Sequence, residues 1–175
     1  MASEIIIRRM TVEDVDGVAA VEAATFPTPW SRDAFASEMK NVAARYLVAE
    51  KDGKVIGYAG AWIILDESHI TNIAVLKDER GQGIGRRLFS VICDAARATG
   101  VEKLYISAHS SKESQAAYRA LGCVPAQEAD PVRMEKEPCD VQMEYDLKGV
   151  HPHEKARFSG ACSLHAAVRC GRGLC

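Results

Sequence analysis

The chain has 175 residues, of which 47% are hydrophobic and 26% are charged, and its formal net charge is −2. This length and composition predict one globular domain with a buried core. No apolar run reaches the roughly 18 residues that a membrane helix needs, which excludes a helical membrane span. Residues 1–4 carry neither the basic start nor the apolar core of a secretion signal, so we expect a cytoplasmic protein.

The charge is unevenly distributed along the chain. Residues 151–175 carry a net charge of +3, so residues 1–150 carry −5. An acidic body favours a basic amine or a basic peptide as the partner and disfavours nucleic acid, whose phosphates it would repel. The six cysteines form no C-x-x-C pair and accompany no secretion signal, so we expect reduced thiols.

The hydrophobic pattern predicts strands and helices in the order β-α-α-β-β-β-α-β-α-β-β. Ser31 is a good helix cap, Asp52-Gly53 is typical of a tight hairpin turn, and Gly100 and Gly122 favour helix ends. The predicted strands span residues 5–9, 44–51, 55–65, 68–76, 103–108, 123–127 and 141–147, and the predicted helices span residues 12–25, 32–40, 83–99 and 112–121.

Residues 151–175 show no usable hydrophobic period. They hold three cysteines and three histidines, but the spacing from Cys162 to Cys170 and then to Cys175 matches no common zinc site. We therefore predict that no metal is bound, that residues 1–150 form a single domain, and that residues 151–175 form a basic, loosely ordered C-terminal tail.

A glycine-rich turn between the predicted strand 68–76 and the predicted helix 83–99 is the strongest functional signal. Gly81, Gly83 and Gly85 lack a Cβ, so the backbone can approach a ligand closely. The helix directs free N–H groups and its positive dipole end at the same point, which suits a pyrophosphate. The alternative is that the glycines only serve packing. The spacing fits neither a P-loop nor the dinucleotide motif G-x-G-x-x-G.

The segment Arg80-x-x-Gly83-x-Gly85, directly after Ile73-Ala74-Val75, resembles the acetyl-CoA signature of the GNAT N-acetyltransferases. The resemblance extends over residues 4–147. It implies an α+β protein with the GNAT fold, in which a mixed, twisted and mostly antiparallel sheet carries helices on both faces. It also implies direct acetyl transfer from acetyl-CoA to an amine, without a nucleophilic cysteine.

The same resemblance implies where the cofactor binds. In that family the pantetheine arm of acetyl-CoA pairs with the strand before the turn, and the pyrophosphate lies on the turn. Carried over residue by residue, the strand residues are Ile73, Ala74 and Val75. The residues of the pyrophosphate site are Arg80, Gly81, Gln82, Gly83, Ile84, Gly85 and Arg86.

Tyr118 is the predicted general acid. It lies in the segment 114–123, which resembles the family element A-x-x-x-Y-x-x-x-G-F. A tyrosine hydroxyl can protonate the thiolate that leaves when the acetyl group is transferred. The alternative is a tyrosine whose ring packs on the sheet while its hydroxyl stays in water.

The base that deprotonates the amine has three candidates. Glu67 and His69 precede the cofactor strand, and His109 follows the predicted strand 103–108. Glu67 or His69 could take the proton through a water molecule, and histidine's ordinary pKa of about 6.5 suits that task. The alternative is a histidine at a strand edge with a purely structural role.

The segment Phe26-Pro27-Thr28-Pro29-Trp30-Ser31 resembles a loop of the ribosomal-protein-alanine N-acetyltransferases, the RimI group, in which it shapes the acceptor groove. Two prolines stiffen the loop, and Phe26 and Trp30 offer flat apolar surface to an extended peptide. These two are therefore the predicted substrate-binding residues. The alternative is that both rings plug the core. The acceptor implied by the resemblance is the N-terminal α-amine of a protein.

The second half of the chain departs from that group. The group's glutamate base falls on Ile106, which cannot act as a base, and its cofactor-binding asparagine falls on Ser111, which we keep as a weaker cofactor contact. Three hypotheses stay open. The first is an N-terminal acetyltransferase of the ribosomal-protein-alanine type. The second is an enzyme that acetylates a small amine, such as a polyamine, an amino acid or an aminoglycoside, and the third is an acetyl-CoA-binding regulator without turnover.

Overall fold

The computed structural model describes residues 3–108, 111–128, 131, 135 and 139–149. Its elements follow the predicted order. The strands are β1 (Ile5–Arg9), β2 (Ala44–Lys51), β3 (Lys54–Ile64), β4 (Glu67–Val75), β5 (Lys103–Ala108), β6 (Val124–Pro125) and β7 (Val141–Asp146). The α-helices are α1 (Val15–Thr25), α2 (Arg32–Glu38), α3 (Ile84–Arg97) and α4 (Lys112–Ala120), and short 3₁₀ helices span Val12–Asp14 and Lys77–Glu79.

One seven-stranded sheet with the order β1-β2-β3-β4-β5-β7-β6 runs through the described residues. Neighbouring strands are antiparallel except β4 and β5, which are parallel. A parallel pair needs a long crossover connection, and α3 lies in that connection. The β2–β3 hairpin turns at Asp52 and Gly53, whose φ angles of 51° and 75° are typical of the tight hairpin turn that the sequence predicts.

Helices cover both faces of the sheet. On one face, called here the α3 face, Leu88 and Ile92 of α3 share a core with Leu104 of β5. On the other, called the α1/α2 face, Val18 of α1 and Phe35 of α2 share a core with strands β2 and β3. The mixed, mostly antiparallel sheet with helices on both faces confirms the predicted α+β fold.

Strands β4 and β5 pair only at their beginnings and then separate. Their register covers three pairs and ends at Ile70 and Ile106. Directly afterwards β4 contains a bulge, because Gly60 of β3 pairs with Asn72 while Ala61 pairs with Ile70, which leaves Thr71 extra. From Thr71 onwards β4 keeps β3 as its only neighbour within the described sheet. A gap therefore opens between β4 and β5, lined by backbone groups that need a hydrogen-bonding partner.

The first helix starts differently from its prediction. The expected helix 12–25 begins as a 3₁₀ turn and becomes α-helical only at Val15. The Asp14 carboxylate explains this, because it accepts hydrogen bonds from the Thr11 N–H (2.8 Å) and from the Arg8 guanidinium (2.7 Å), which tie the turn to β1. No helix in the described part of the chain is long and apolar enough to cross a membrane. The predicted tail, residues 151–175, lies outside the described residues.

Candidate active site

The glycine turn leaves open space above its backbone. Gly81 and Gly83 have φ angles of 80° and 75°, which favour glycine, and Gly83 is the N-cap of α3. A Cβ built on Gly81, Gly83 or Gly85 would meet no other described atom within 4 Å. No side chain caps the first turn of α3, so its free N–H groups point into that space. Packing does not require these glycines, and the turn fits a pyrophosphate.

The charged side chains around the turn hold it in place. The Arg80 Nε donates a hydrogen bond to the carbonyl of Val75 (2.9 Å), which fixes the arginine at the end of β4. The Glu79 carboxylate accepts from Lys51 Nζ (2.9 Å) and from Gln82 Nε2 (2.9 Å). These hydrogen bonds lower the pKa of Glu79, so the carboxylate stays ionised. The Gln82 side chain thus belongs to the turn's own structure and leaves its backbone for a ligand.

The predicted cofactor strand offers only its backbone to the gap. Ile73 and Val75 pack into the core of the α3 face, and Ala74 packs into the core of the α1/α2 face. Side chains alternate between faces in this way along a strand, so the edge that looks towards β5 consists of N–H and C=O groups. An extended, amide-containing chain such as pantetheine could pair with that edge as a further strand would.

Two further residues predicted for the cofactor site lie at helix ends. Arg86, in the first turn of α3, donates from Nη2 to the carbonyl of Ala120 at the end of α4 (3.1 Å). Ser111 is the N-cap of α4, where its hydroxyl oxygen accepts from the Ser114 N–H (3.2 Å). The cofactor contact of Ser111 stays a prediction, because the capping bond already accounts for a serine at this position.

Tyr118 lies on α4, half-buried against the core of the α3 face. Burial raises the pKa of its hydroxyl well above its ordinary value of 10, so the phenol is protonated at neutral pH. The ring packs on the core as the alternative predicts, but its hydroxyl is shielded from water, and its role as the general acid stays a prediction.

The two main base candidates form one pair. His69 Nε2 lies 2.9 Å from a carboxylate oxygen of Glu67, and the imidazole stacks on Tyr105 of β5 with ring centroids 5.4 Å apart. His69 is buried and Glu67 is exposed. The core positions of Ile70 and Ile106 on the α3 face mean that His69 and Tyr105 face the opposite side, one residue before the last β4–β5 pair. Acid and base candidates therefore lie on opposite faces of the sheet.

Of the two other positions considered for the base, one is apolar and one is not described. Ile106, which stands where the resembled group has its glutamate, is 2% exposed and belongs to the core of the α3 face. A hydrocarbon side chain there carries no proton acceptor, as the sequence predicts. His109 lies outside the described residues. Within the described ranges, no cluster of three His, Cys, Asp or Glu side chains is placed to hold a metal ion.

The predicted acceptor loop lies beside the α1/α2 face. Phe26 and Trp30 are both half-buried and pack against the core of that face. The ring centroids of Trp30 and Phe35 lie 5.7 Å apart. Between them, Pro27, Thr28 and Pro29 are exposed. Both rings are thus partly packed in the core, as the alternative predicts, and partly exposed, and their contact with a substrate stays a prediction.

Sequence reasoning missed a buried polar network on this face. The Glu22 carboxylate of α1 accepts hydrogen bonds from Tyr58 of β3 and Asn72 of β4. The Tyr58 ring stacks on Tyr46 of β2, whose hydroxyl lies within hydrogen-bonding distance of Thr71 of β4. One signal was present in the sequence. Glu22 stands four residues after Val18, on the stripe of α1 that faces the core, where a charged residue is unexpected unless it has buried partners.

Comparisons with known proteins agree with this architecture. The profile of the acetyltransferase (GNAT) family matches residues 15–123. A Bacillus subtilis (strain 168) protein, provisionally named a ribosomal protein bS18-alanine N-acetyltransferase, is 37% identical over 127 residues, covering 71% of this chain and 84% of that protein. The bS18-alanine N-acetyltransferase of Escherichia coli (strain K12) is 32% identical over 119 residues, covering 66% of this chain and 78% of that protein.

Solved structures show the same fold. The crystal structure of the Escherichia coli ribosomal-protein-S18-alanine N-acetyltransferase superposes with a TM-score of 0.69 at 23% identity and covers 89% of this chain and 100% of that one. The PaiA N-acetyltransferase of Thermoplasma acidophilum, solved with coenzyme A, has a TM-score of 0.68 at 16% identity and covers 82% of this chain and 99% of that one. The family profile and the relatives show that this chain belongs to the acetyltransferase (GNAT) family and is an N-acetyltransferase.

Proposed function

We propose that this enzyme transfers the acetyl group of acetyl-CoA to the N-terminal α-amine of a protein, of the kind that the bS18-alanine acetyltransferases modify. The observation that carries the proposal is the relative of 37% identity with that name, of which the match covers 84%. The loop 26–31 supports it, because its two aromatic side chains are only half-buried and its two prolines are exposed, which suits contact with an extended peptide. A newly made ribosomal protein would meet this enzyme in the cytoplasm.

The cofactor site of the proposal combines backbone groups from two neighbouring segments. The free edge of β4 at Ile73 and Val75 would hold the pantetheine arm, and the N–H groups of residues 81–86 would hold the pyrophosphate. Arg80 and Arg86 add positive charge beside the turn. When bound, acetyl-CoA supplies a thioester that reacts directly with an amine, so no cysteine of the protein needs to carry the acetyl group.

The proton transfers of the proposal use groups from the two faces of the sheet. Tyr118, protonated at neutral pH, would donate its proton to the departing sulfur. The Glu67–His69 pair would take the proton of the attacking amine through a water molecule and share it across their 2.9 Å contact. The last β4–β5 pair, Ile70 with Ile106, directly follows His69, so the base candidates lie beside the start of the gap. In the proposal Tyr118 would reach the departing sulfur from the α3 face.

The test is release of free thiol from acetyl-CoA in the presence of a peptide that begins with alanine and copies the N-terminus of a small-subunit ribosomal protein. We expect peptide-dependent release and a mass gain on the α-amine. The same peptide with a blocked α-amine is the matched control, because it keeps the sequence and removes only the nucleophile. Release with the blocked peptide, or with no peptide at all, would contradict the proposal.

A small amine is the second candidate acceptor, and the buried Ile106 favours it. A glutamate stands at this position in the group that the first half of the chain resembles, and here the side chain is 2% exposed in the core. An enzyme that has lost that base could also have changed its acceptor. A panel of polyamines, amino acids and aminoglycosides in the same thiol assay decides the matter, since release with these amines and none with the peptide would favour this candidate.

A further inference from the structure

The structure points to Glu22 as a positioning residue that couples the acceptor loop to the cofactor strand, and this inference rests on the proposed function. We propose that its buried carboxylate sets the distance between the loop 26–31, which would receive the peptide, and strand β4, which would hold the acetyl donor. Glu22 would thereby determine how well the acceptor amine is presented to the acetyl group.

The contacts of Glu22 come from three separate elements. The residue is 1% exposed. Its Oε1 accepts hydrogen bonds from the backbone N–H of Trp30 (3.1 Å) and from Asn72 Nδ2 (3.3 Å), and its Oε2 accepts from the hydroxyl of Tyr58. Trp30 belongs to the acceptor loop, Asn72 to β4 and Tyr58 to β3, so one carboxylate holds the loop against two central strands.

A second residue of β4, Thr71 in the bulge, is also contacted through the tyrosine rings. Tyr58 stacks on Tyr46 with ring centroids 6.5 Å apart, and the Tyr46 hydroxyl lies 3.1 Å from Thr71 Oγ1. Thr71 is the extra residue of the bulge, beside which the gap opens. Gly60 of β3 makes room for this contact, because a Cβ there would lie 2.5 Å from Thr71 Oγ1. Burial raises the pKa of Tyr46 and of Tyr58, so both hydroxyls stay protonated, and the Tyr58 hydroxyl donates to Glu22.

A carboxylate suits this position for a physical reason. Asn72 sits directly before Ile73, whose backbone belongs to the proposed cofactor edge, and its amide is oriented by Glu22. An ionised carboxylate only accepts, and its hydrogen bonds are stronger than neutral ones, so it can hold three donors at once. An amide in its place would turn an NH₂ group towards at least one of those donors. Glu22 itself is too deeply buried to meet a substrate, so its effect must pass through Trp30 and Asn72.

The test compares Glu22→Gln with the matched control Glu50→Gln. Glu50 is a half-buried carboxylate of β2 that accepts from the Arg8 guanidinium (2.6 Å) and has no contact with the loop. For Glu22→Gln we expect a rise of about tenfold in the KM for the alanine peptide, because a misplacement of a reactant by about 1 Å can cost about 100-fold and the loop should shift by less than that. In Glu22→Gln the KM for acetyl-CoA should stay within about twofold of the wild-type value, and the binding stoichiometry should be unchanged. In Glu50→Gln the KM for the peptide and the KM for acetyl-CoA should both stay within about twofold of the wild-type values.

A second measurement needs no activity. Hydrogen exchange of the Trp30 amide should be at least about tenfold faster in Glu22→Gln than in the wild type, because its acceptor is weakened, and unchanged in Glu50→Gln. Unchanged exchange at Trp30 together with an unchanged acceptor KM would overturn the inference. An equal loss of acetyl-CoA binding and of acceptor use would also overturn it, since that result means that Glu22 only supports folding.

The two proposals fail in different ways. If the wild type acetylates a small amine and no peptide, the proposed function is wrong, and the same KM comparison is made with that amine. If the wild type acetylates the peptide and the Glu22→Gln variant matches it in KM and exchange, the inference is wrong and the proposed function stands.

Discussion

The proposed cofactor site and the proposed acceptor site of this molecule are built by different kinds of interaction. On the cofactor side, one continuous segment from β4 through the glycine turn into α3 supplies most of the proposed binding surface, and it does so mainly with backbone groups. On the acceptor side, α1, the loop 26–31 and strands β2, β3 and β4 contribute one or two side chains each. A site formed by the backbone of one segment can be recognised as a motif in the sequence, whereas a site assembled from side chains that are distant in sequence cannot.

The largest effect should come from breaking the backbone surface itself. We expect Gly83→Val to abolish detectable binding of acetyl-CoA, because the branched side chain would enter the open space above the turn while its φ of 75° costs about 1–2 kcal/mol for a residue with a Cβ. Calorimetric titration with acetyl-CoA measures the loss, and circular dichroism checks that the domain still folds.

Gly53→Val is the matched control for that variant. Gly53 also has a φ of 75° and no described atom within 4 Å of a built Cβ, but it lies in the β2–β3 hairpin. It should lose a similar amount of stability and bind acetyl-CoA normally. Normal binding by Gly83→Val would mean that the cofactor lies elsewhere.

The next effect concerns the proposed general acid. Tyr118→Phe should lower kcat by roughly 10²–10⁴, the usual range for a lost proton donor, and should leave acetyl-CoA binding unchanged because the ring still packs on the core. Tyr145→Phe, which removes a hydroxyl from a buried tyrosine packed on Phe89, is the control and should retain turnover. Wild-type turnover in Tyr118→Phe would remove this residue from the mechanism.

The pH dependence of kcat tests the same residue. A general acid must be protonated to act, and burial raises the pKa of Tyr118 above the ordinary value of 10. The alkaline loss of kcat that belongs to this group should therefore begin above pH 10. A fall in kcat that belongs to Tyr118 below pH 10 would contradict the environment described for it.

A smaller effect is expected at the base. Because Glu67 and His69 contact each other, we expect His69→Gln and Glu67→Gln each to lower kcat/KM for the acceptor by about 10- to 100-fold, and the double variant to lose little more than either single one. Steady-state rates of the wild type, the two single variants and the double variant give the coupling free energy between the two side chains. Additive losses would mean that the two side chains act separately, and no loss in either would leave His109 as the remaining candidate.

The smallest effect should follow removal of a buried thiol. Burial raises the pKa of Cys123 to about 12, which makes the thiolate scarce at neutral pH. Cys123→Ala should therefore leave kcat within about twofold, as direct transfer requires, and cost about 1 kcal/mol of unfolding free energy through lost packing. Urea unfolding and the thiol assay measure the two quantities. A loss of turnover greater than the loss of folded protein would indicate a covalent role for this cysteine.

The order of the elements and the fold class could be predicted from sequence because they depend on local patterns. Alternation and helical periodicity mark the strands and helices, and Asp52-Gly53, Gly100 and Gly122 mark their ends. The family of acetyltransferases could be predicted for the same reason, since residues 73–86 form a single stretch of chain. The roles of individual residues in that stretch remain predictions that the variants above test.

The tertiary structure alone decided which distant side chains meet. The sequence could not show that Glu67 and His69 form a pair stacked on Tyr105, because Tyr105 reaches them only through the parallel pairing of β4 and β5. It could not show the separation of those strands, which begins beside the bulge at Thr71. Nor could it assign Glu22 its three donors, since they lie 8, 36 and 50 residues away along the chain. Backbone conformation is determined by neighbours in sequence, whereas buried side-chain contacts are determined by the packing of the whole sheet.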